Sequence, residues 1–442
     1  MELAVEVALP SGKCISLAIP ESFNVGDLKV LAQEVFQQNF LRLVTAEGRV
    51  LTDPAESMQA AGIQQGSHLM AIAQQAELAA TSSAFALWCS GGDKIVSWGN
   101  RFTGGVKPKI QRKVVVEQIQ TTLHAFAAIL ADGSVITWGE ARSGGDSSKV
   151  QDRLVGVKQI EATNGAFAAI LADGSVVTWG HPVLGGDTSA LPQLRNVQRI
   201  WATKRGFAAL AGGSVVAWGE DFRHNVTIHH QLQTARQIYV TNGAFAAILA
   251  DGSVITWGDP NYGGDSSEVQ SQLRNVQHIE ATKFAFAAIL ADGSLVAWGD
   301  FERGGDNSQV NRQQNSVRQI RATNTAFAAV LTDGSVVTWG FCFPDEGGDS
   351  SAVQDQLRGV QEVQATEGAF AAMLANGSVV TWGVPATGGD SFAVQDQLRN
   401  VQQIWATRRA FAALRRDGSL VTWGDPNAGG DSQAIQHFVT EM

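Results

Sequence analysis

The sequence has little cysteine, tyrosine or proline, with 3 Cys, 2 Tyr and 10 Pro in 442 residues. Cys14, Cys89 and Cys342 lie far apart, with no CxxC pair and no histidine at ligand spacing. That excludes a disulfide framework and argues against a zinc site; no metal or other cofactor is expected. Lysine and arginine form no block and the net charge is −10, which argues against a nucleic-acid surface over the whole molecule. No apolar run approaches the roughly 18 residues of a membrane span. The opening residues MELAVEVALPSGK carry Glu2 and Glu6 where a secretory leader would be apolar. The expectation is a soluble chain of the cytoplasm or nucleus, a monomer that meets other proteins and neither membrane nor nucleic acid.

What is present is glycine, at 47 residues, and tryptophan, at 12. Both belong to one repeated unit. Trp-Gly begins at Trp98, Trp138, Trp179, Trp218, Trp257, Trp298, Trp339, Trp382 and Trp423, at spacings of 39 to 43 residues. The fullest surrounding pattern is IEATNGAFAAILADGSVVTWG, from Ile160 to Gly180; Gly-Gly-Asp and a relative of VQDQLRNV usually follow. AFAAILA and SVVTW are short apolar or β-branched runs separated by Asp-Gly, which predicts a hairpin with a type I′ turn. Both runs are apolar on both faces, as in a sheet covered on both sides. A preceding VxxIxAT strand makes each unit a three- or four-stranded blade that must stack on its neighbours. AFAAILA is too short, between its Gly and Asp-Gly boundaries, to be an ordinary helix.

The Asp-Gly-Ser-Val and Trp-Gly elements resemble the regulator-of-chromosome-condensation repeat superfamily over residues 76–442. That superfamily also includes β-lactamase inhibitor propellers. Phe167 and its equivalents stand where the family commonly has His, and Gly-Gly-Asp replaces Gly-Gln-Leu. Nine units exceed the usual seven blades, so the resemblance leaves a closed nine-bladed ring and an open superhelix both available.

Residues 1–75 lack the repeat. MELAVEV and KCISLAI flank a turn at Pro10-Ser11-Gly12; Asn24 can cap a helix to about Gln38 with Val25, Leu28, Leu31, Ala32 and Val35 on one face. FLRLV, RVL and HLMAI read as further strands, an order that suggests a β-grasp domain. The segment resembles ubiquitin through its Met-Glu-Leu strand, Gly12-Lys13, Leu41 to Val44, Gly48, Ile63-Gln64 and the strand from Ser67 to Ile72. The resemblance implies an apolar recognition patch at Leu9, Val44 and Ile72. Ala-Gln-Gln-Ala follows Ile72 in place of a terminal Gly-Gly, so the domain is expected to be bound by receptors, not conjugated. The whole chain is thus expected to be mainly β, a β-grasp domain followed by a propeller.

An active site requires convergent unlike groups, whereas repeats set like groups in rings. None of the eight histidines has a partner constellation, and the adjacent pair His229-His230 points apart on a strand. The recurring aspartates of Gly-Gly-Asp (Asp146, Asp187, Asp265, Asp306, Asp349, Asp390, Asp431) read as turn acceptors rather than a calcium ring. The chain is expected not to be an enzyme. Binding belongs where the units differ, at the residue after Ile in IxAT and at the pair before AFAA, as in Asn164-Gly165 and Lys283-Phe284. The residues expected to form this face are Trp201, Lys204, Arg205, Tyr239, Phe284, Arg321, Trp405, Arg408 and Arg409. Units four and nine share Trp-Ala-Thr-Lys-Arg and Trp-Ala-Thr-Arg-Arg there.

The leading functional reading is a non-catalytic adaptor: the ubiquitin-like domain docks on a ubiquitin-pathway receptor or the proteasome, and the propeller holds a second protein. Two alternatives follow from the resemblance. One is a relative of the repeat portion of HECT-type ubiquitin ligases, although no Cys follows Cys342 to form a thioester. The other is nucleotide exchange on a small GTPase, although no unit is long enough to carry an inserted wedge.

Overall fold

A computed structural model describes residues 2–36, 41–51, 53–74, 76–89, 94–106, 115–189, 194–212, 214–222, 231–311, 316–341 and 347–435. His229-His230 and Cys342 fall outside the described residues.

The first segment contains β1 (Glu2–Ala8), β2 (Cys14–Pro20), α1 (Val25–Phe36), β3 (Leu41–Thr45), β4 (Val50–Leu51) and β5 (His68–Ala73). The five strands form one sheet in the order β2-β1-β5-β3-β4, with β1 parallel to β5. Asn24 caps α1: its Oδ1 accepts from the Asp27 N–H at 2.9 Å, while Asp27 Oδ2 accepts from the Asn24 N–H at 3.0 Å. The expected helix face needs one correction. Val25, Leu28 and Ala32 are buried with Phe36, whereas Val35 is exposed. Four residues on from Ala32, at helical spacing, Phe36 completes the stripe and Val35 falls beside it.

Nine three-stranded antiparallel sheets follow. Numbered as blades 1 to 9, they occupy residues 76–99, 116–139, 157–180, 197–219, 235–258, 276–299, 317–340, 360–383 and 401–424. Blade 3 is typical, with strands Val157–Ala162, Ala166–Leu171 and Val176–Gly180. The middle strand pairs with both others, and its AFAA residues are fully buried. Alanine lets adjacent blades approach closely while the β-branched outer strands fill the gaps. First strands of neighbouring blades touch around the axis, and the first strand of blade 9 touches that of blade 1.

The hairpin turn differs from the expected type. In blade 3 the Gly174 N–H donates to the Leu171 carbonyl at 3.0 Å, and the Leu171 N–H to the Ser175 carbonyl at 2.9 Å. Gly174 has φ +76°, but Asp173 is not among the residues with positive φ. A type I′ turn demands positive φ at both central residues; here Ala172 lengthens the loop, and only its last residue is left-handed. Asp173 serves otherwise, Oδ1 accepting from the Ser175 N–H at 2.9 Å.

The Gly-Gly-Asp segments latch one blade to the next. Gly144, after blade 2, has φ +96°, and a Cβ there would lie 2.5 Å from the Phe167 ring of blade 3. Its carbonyl accepts from Trp179 Nε1 at 3.0 Å, and Trp179 stacks on Phe167 with centroids 5.1 Å apart. Such a stack contributes about 0.5–1.5 kcal/mol beyond buried area. Phenylalanine at this repeat position therefore serves packing. Eight of the nine Trp-Gly indoles donate to a glycine carbonyl in this way. The aspartates make turns, as expected: Asp146, Asp187, Asp265, Asp306, Asp349, Asp390 and Asp431 each accept from the N–H two residues on, at 2.8–2.9 Å.

The ring closes. Gly429, after blade 9, lies against Phe85 of blade 1, and Trp98 donates to the Gly429 carbonyl at 3.2 Å. The protein is a nine-bladed β-propeller preceded by a five-stranded sheet domain.

Candidate functional site

The turn between the first and middle strands of each blade is built by the threonine of IxAT. In blade 3, Thr163 Oγ1 accepts from the Ala166 N–H at 3.0 Å and donates to the Leu184 carbonyl at 3.0 Å. This fixes the next residue, Asn164, at one mouth of the axial channel. The equivalent residues are Ser82, Leu123, Asn164, Lys204, Asn242, Lys283, Asn324, Glu367 and Arg408, all lining one cavity of about 600 Å³. Backbone hydrogen bonds link eight of the nine steps from blade to blade, and at the ninth the Lys204 side chain reaches Asn242 Oδ1. Ser82 N–H donates to Leu123, Leu123 to Asn164, Asn164 to Lys204, Asn242 to Lys283, Lys283 to Asn324, Asn324 to Glu367, Glu367 to Arg408, and Arg408 to Ser82, at 2.8–3.2 Å. These eight links use main-chain groups alone, so the side chain at this position is free to vary from blade to blade.

Those side chains give the mouth its charge. Lys204 Nζ donates to Asn242 Oδ1 at 3.2 Å. Burial, reinforced by the nearby charges of Lys283 and Arg408, pushes the Lys204 ammonium down to about 8 despite opposition from Asp221. Burial also lowers His124, with Arg408 acting in the same direction and Glu140 opposing. Arg408 is exposed, whereas Lys204 and Lys283 are half-buried.

Other residues expected on this face are used within the wall. Trp201 was expected to be exposed, but it is only 7% accessible; its Nε1 donates to the Arg236 carbonyl of blade 5 at 3.1 Å. No Gly-Gly-Asp follows blade 4, and Trp201 and Phe222 fill this junction instead, Phe222 lying 6.1 Å from Phe245. Trp405 is half-buried against the blade 9–blade 1 core. Tyr239 is half-buried and its hydroxyl meets His278 Nδ1 at 3.3 Å; burial raises the phenol to about 12. Arg321 pairs with Glu280 at 3.3 Å. Phe284 stacks on Tyr262 at 5.5 Å and lies 4.7 Å beneath the Arg303 guanidinium. Arg205 bonds Glu220 Oε2 at 2.9 Å, and Arg409 meets Asp425 at 3.3 Å and Glu367 at 3.6 Å. Lys204 and Arg408 are thus brought together with Lys283, while the aromatic residues serve blade packing. The repeat alignment already places Lys283 at the same position; a search for paired Trp and Arg passes over it.

On the N-terminal sheet, Val44 pairs with Met70 and Arg42 with Ile72 on the face away from the core. Met70 is 49% exposed and Ile72 38%, with Val44 half-buried beside them. Leu9 does not join them as expected. It sits in the turn after β1, its N–H bonded to the Lys13 carbonyl at 2.8 Å, and packs against the inner core. Leu9 keeps the parity of the buried Val5 and Val7, which turns it inward. Met70 occupies the outer face instead.

Among the described residues no group of three or more His, Cys, Asp or Glu could hold a metal ion, and no helix is long and apolar enough to cross a membrane.

No family model and no curated protein matches the chain. Among solved structures, Prp20p from Saccharomyces cerevisiae, described with its binding to Gsp1p and histones, is 17% identical, covering 70% of this chain and 83% of its own, at a TM-score of 0.37. Human WBSCR16 is 15% identical, covering 60% of this chain and 77% of its own, at 0.34. Caldiarchaeum subterraneum ubiquitin is 16% identical and covers 17% of this chain and 96% of its own, at 0.16.

Proposed function

We propose that the protein is a non-catalytic interaction scaffold. Its N-terminal domain acts as an integral ubiquitin-like β-grasp module that docks on a ubiquitin-pathway receptor or proteasome component, and its propeller holds a second protein. The observation that carries this reading is the outer face of the N-terminal sheet. Met70, Ile72 and Val44 place apolar surface on a folded strand pair, flanked by Arg42 and by His68, whose Nδ1 lies 2.9 Å from Glu6. An exposed apolar patch with a polar rim is the composition of a protein-binding site. The Trp-Gly repeats supply a rigid second surface, with variable residues on the rim of the channel.

The test is binding of the full chain to an immobilised ubiquitin-interacting helix. Met70→Ala with Ile72→Ala is expected to weaken binding at least tenfold while leaving the melting temperature within about 2 °C, since exposed methyl groups add little stability. No binding by the unaltered chain, or undiminished binding by the double variant, overturns the docking role.

A further inference from the structure

Three cations line the channel mouth without an ion-pair partner among the described residues: Lys204 of blade 4, Lys283 of blade 6 and Arg408 of blade 9. The acid among these nine lining positions, Glu367, is engaged by Arg409 at 3.6 Å. Asp221, which faces Lys204, accepts from Thr203 Oγ1 at 2.6 Å and from the Arg205 N–H at 2.9 Å. Bringing like charges together at one mouth costs stability, and the blade-to-blade links need no charge at Lys283 or Arg408; Lys204 also bridges to Asn242 Oδ1 at 3.2 Å, a bond that a neutral donor could make. Eight of the nine links between these positions are main-chain bonds, and Ser82, Leu123, Asn164, Asn242 and Asn324 occupy the same position elsewhere without charge.

The cations come from three non-adjacent blades and surround the axis, so they do not form the row that an extended acidic peptide would need. Asn164, Asn242 and Asn324 add side-chain amides between them. A cavity of about 600 Å³ admits a small ion with several charged oxygens. Ammonium and guanidinium groups bind phosphate oxygens by charge-assisted hydrogen bonds.

We propose that the channel mouth binds a compact polyphosphate, two or three linked phosphates held among Lys204, Lys283 and Arg408. The site is independent of the scaffold reading, because its ligand is a small anion rather than a protein. The same chemistry could come from an inorganic polyphosphate or from the phosphate chain of a nucleotide.

The experiment is calorimetric titration of the full chain with sodium tripolyphosphate and, separately, with ATP. The expected result is one tripolyphosphate per chain, with about tenfold weaker binding in Lys204→Gln and in Lys283→Gln. The triple variant with Arg408→Gln added should show no binding, while its melting temperature is unchanged or raised. Arg142→Gln with Lys149→Gln, on a basic groove between blades 2 and 3, should bind as the unaltered chain does. Equal affinity for ATP assigns recognition to the phosphates alone; tighter ATP binding identifies a nucleotide as the source. At pH 8 binding should take up about half a proton, since a bound anion restores charge to Lys204, whose ammonium otherwise loses its proton near 8. The buffer dependence of the heat measures that uptake. Absence of tripolyphosphate binding, several sites per chain, binding by ATP alone, or binding that survives in the triple variant overturns the proposal.

Discussion

The indole N–H of Trp98 donates to the carbonyl of Gly429 across 331 residues, at 3.2 Å. It is the same latch that joins other neighbouring blades, here made between the last Gly-Gly-Asp and the first Trp-Gly. Gly429 has φ +95°, and a Cβ there would lie 2.6 Å from Phe85. Gly429→Ala is therefore expected to cost about 2 kcal/mol or more, from left-handed strain and overpacking together. Hydrogen exchange should show blades 1 and 9 losing protection first. Uniform loss around the ring would contradict a closing role for this contact.

Trp257 is the exception among the nine indoles, buried and without a hydrogen-bond partner among the described residues. Replacing Trp179 by Phe removes a donor bonded to Gly144, whereas Trp257→Phe removes one with no partner among the described residues. Chemical denaturation should find Trp257→Phe less costly than Trp179→Phe by about 1 kcal/mol. Equal costs would mean that the indole bond adds nothing to the latch.

Trp201 and Trp405 should separate. Trp201→Ala empties a buried site at the blade 4–blade 5 junction and is expected to destabilise by about 3–5 kcal/mol. Trp405 is half-buried, and its truncation should lower the melting temperature less. Any loss of partner capture in Trp201→Ala then reports on folding, so capture by the Trp405→Ala variant is the informative measurement.

Lys204 makes stability depend on pH. Its folded value, about 8, lies below the ordinary lysine value of 10.5. Between these values the unfolded chain binds more protons, so this residue's contribution makes stability rise with pH. Below about 8 both states carry the charge and the penalty is complete. Lys204→Met should raise the melting temperature at pH 7 and lose that advantage as pH approaches 10.5. A gain constant from pH 7 to 10.5 would show that the benefit comes from the methionine's packing.

The repeat was legible from spacing alone. Trp-Gly, Asp-Gly and AFAA must recur because every blade meets the same neighbours, and identical packing demands identical residues. The turn role of the Gly-Gly-Asp aspartates was legible too, since an Asx turn is local. The number of strands per blade and the ring's closure were not, because Gly429 and Phe85 meet only after every blade has added its rotation. Nor could sequence tell the exposed from the buried among the varying residues: Trp201 and Trp405 sit in nearly the same five-residue motif. The missing Gly-Gly-Asp after blade 4 is what draws Trp201 into the junction. Leu9 and Met70 exchanged roles for a similar reason, since the pleat of β1 and the register of β5 decide which side chain faces outward. Local chemistry is written residue by residue, whereas exposure and charge convergence depend on which blades come to face one another around the axis.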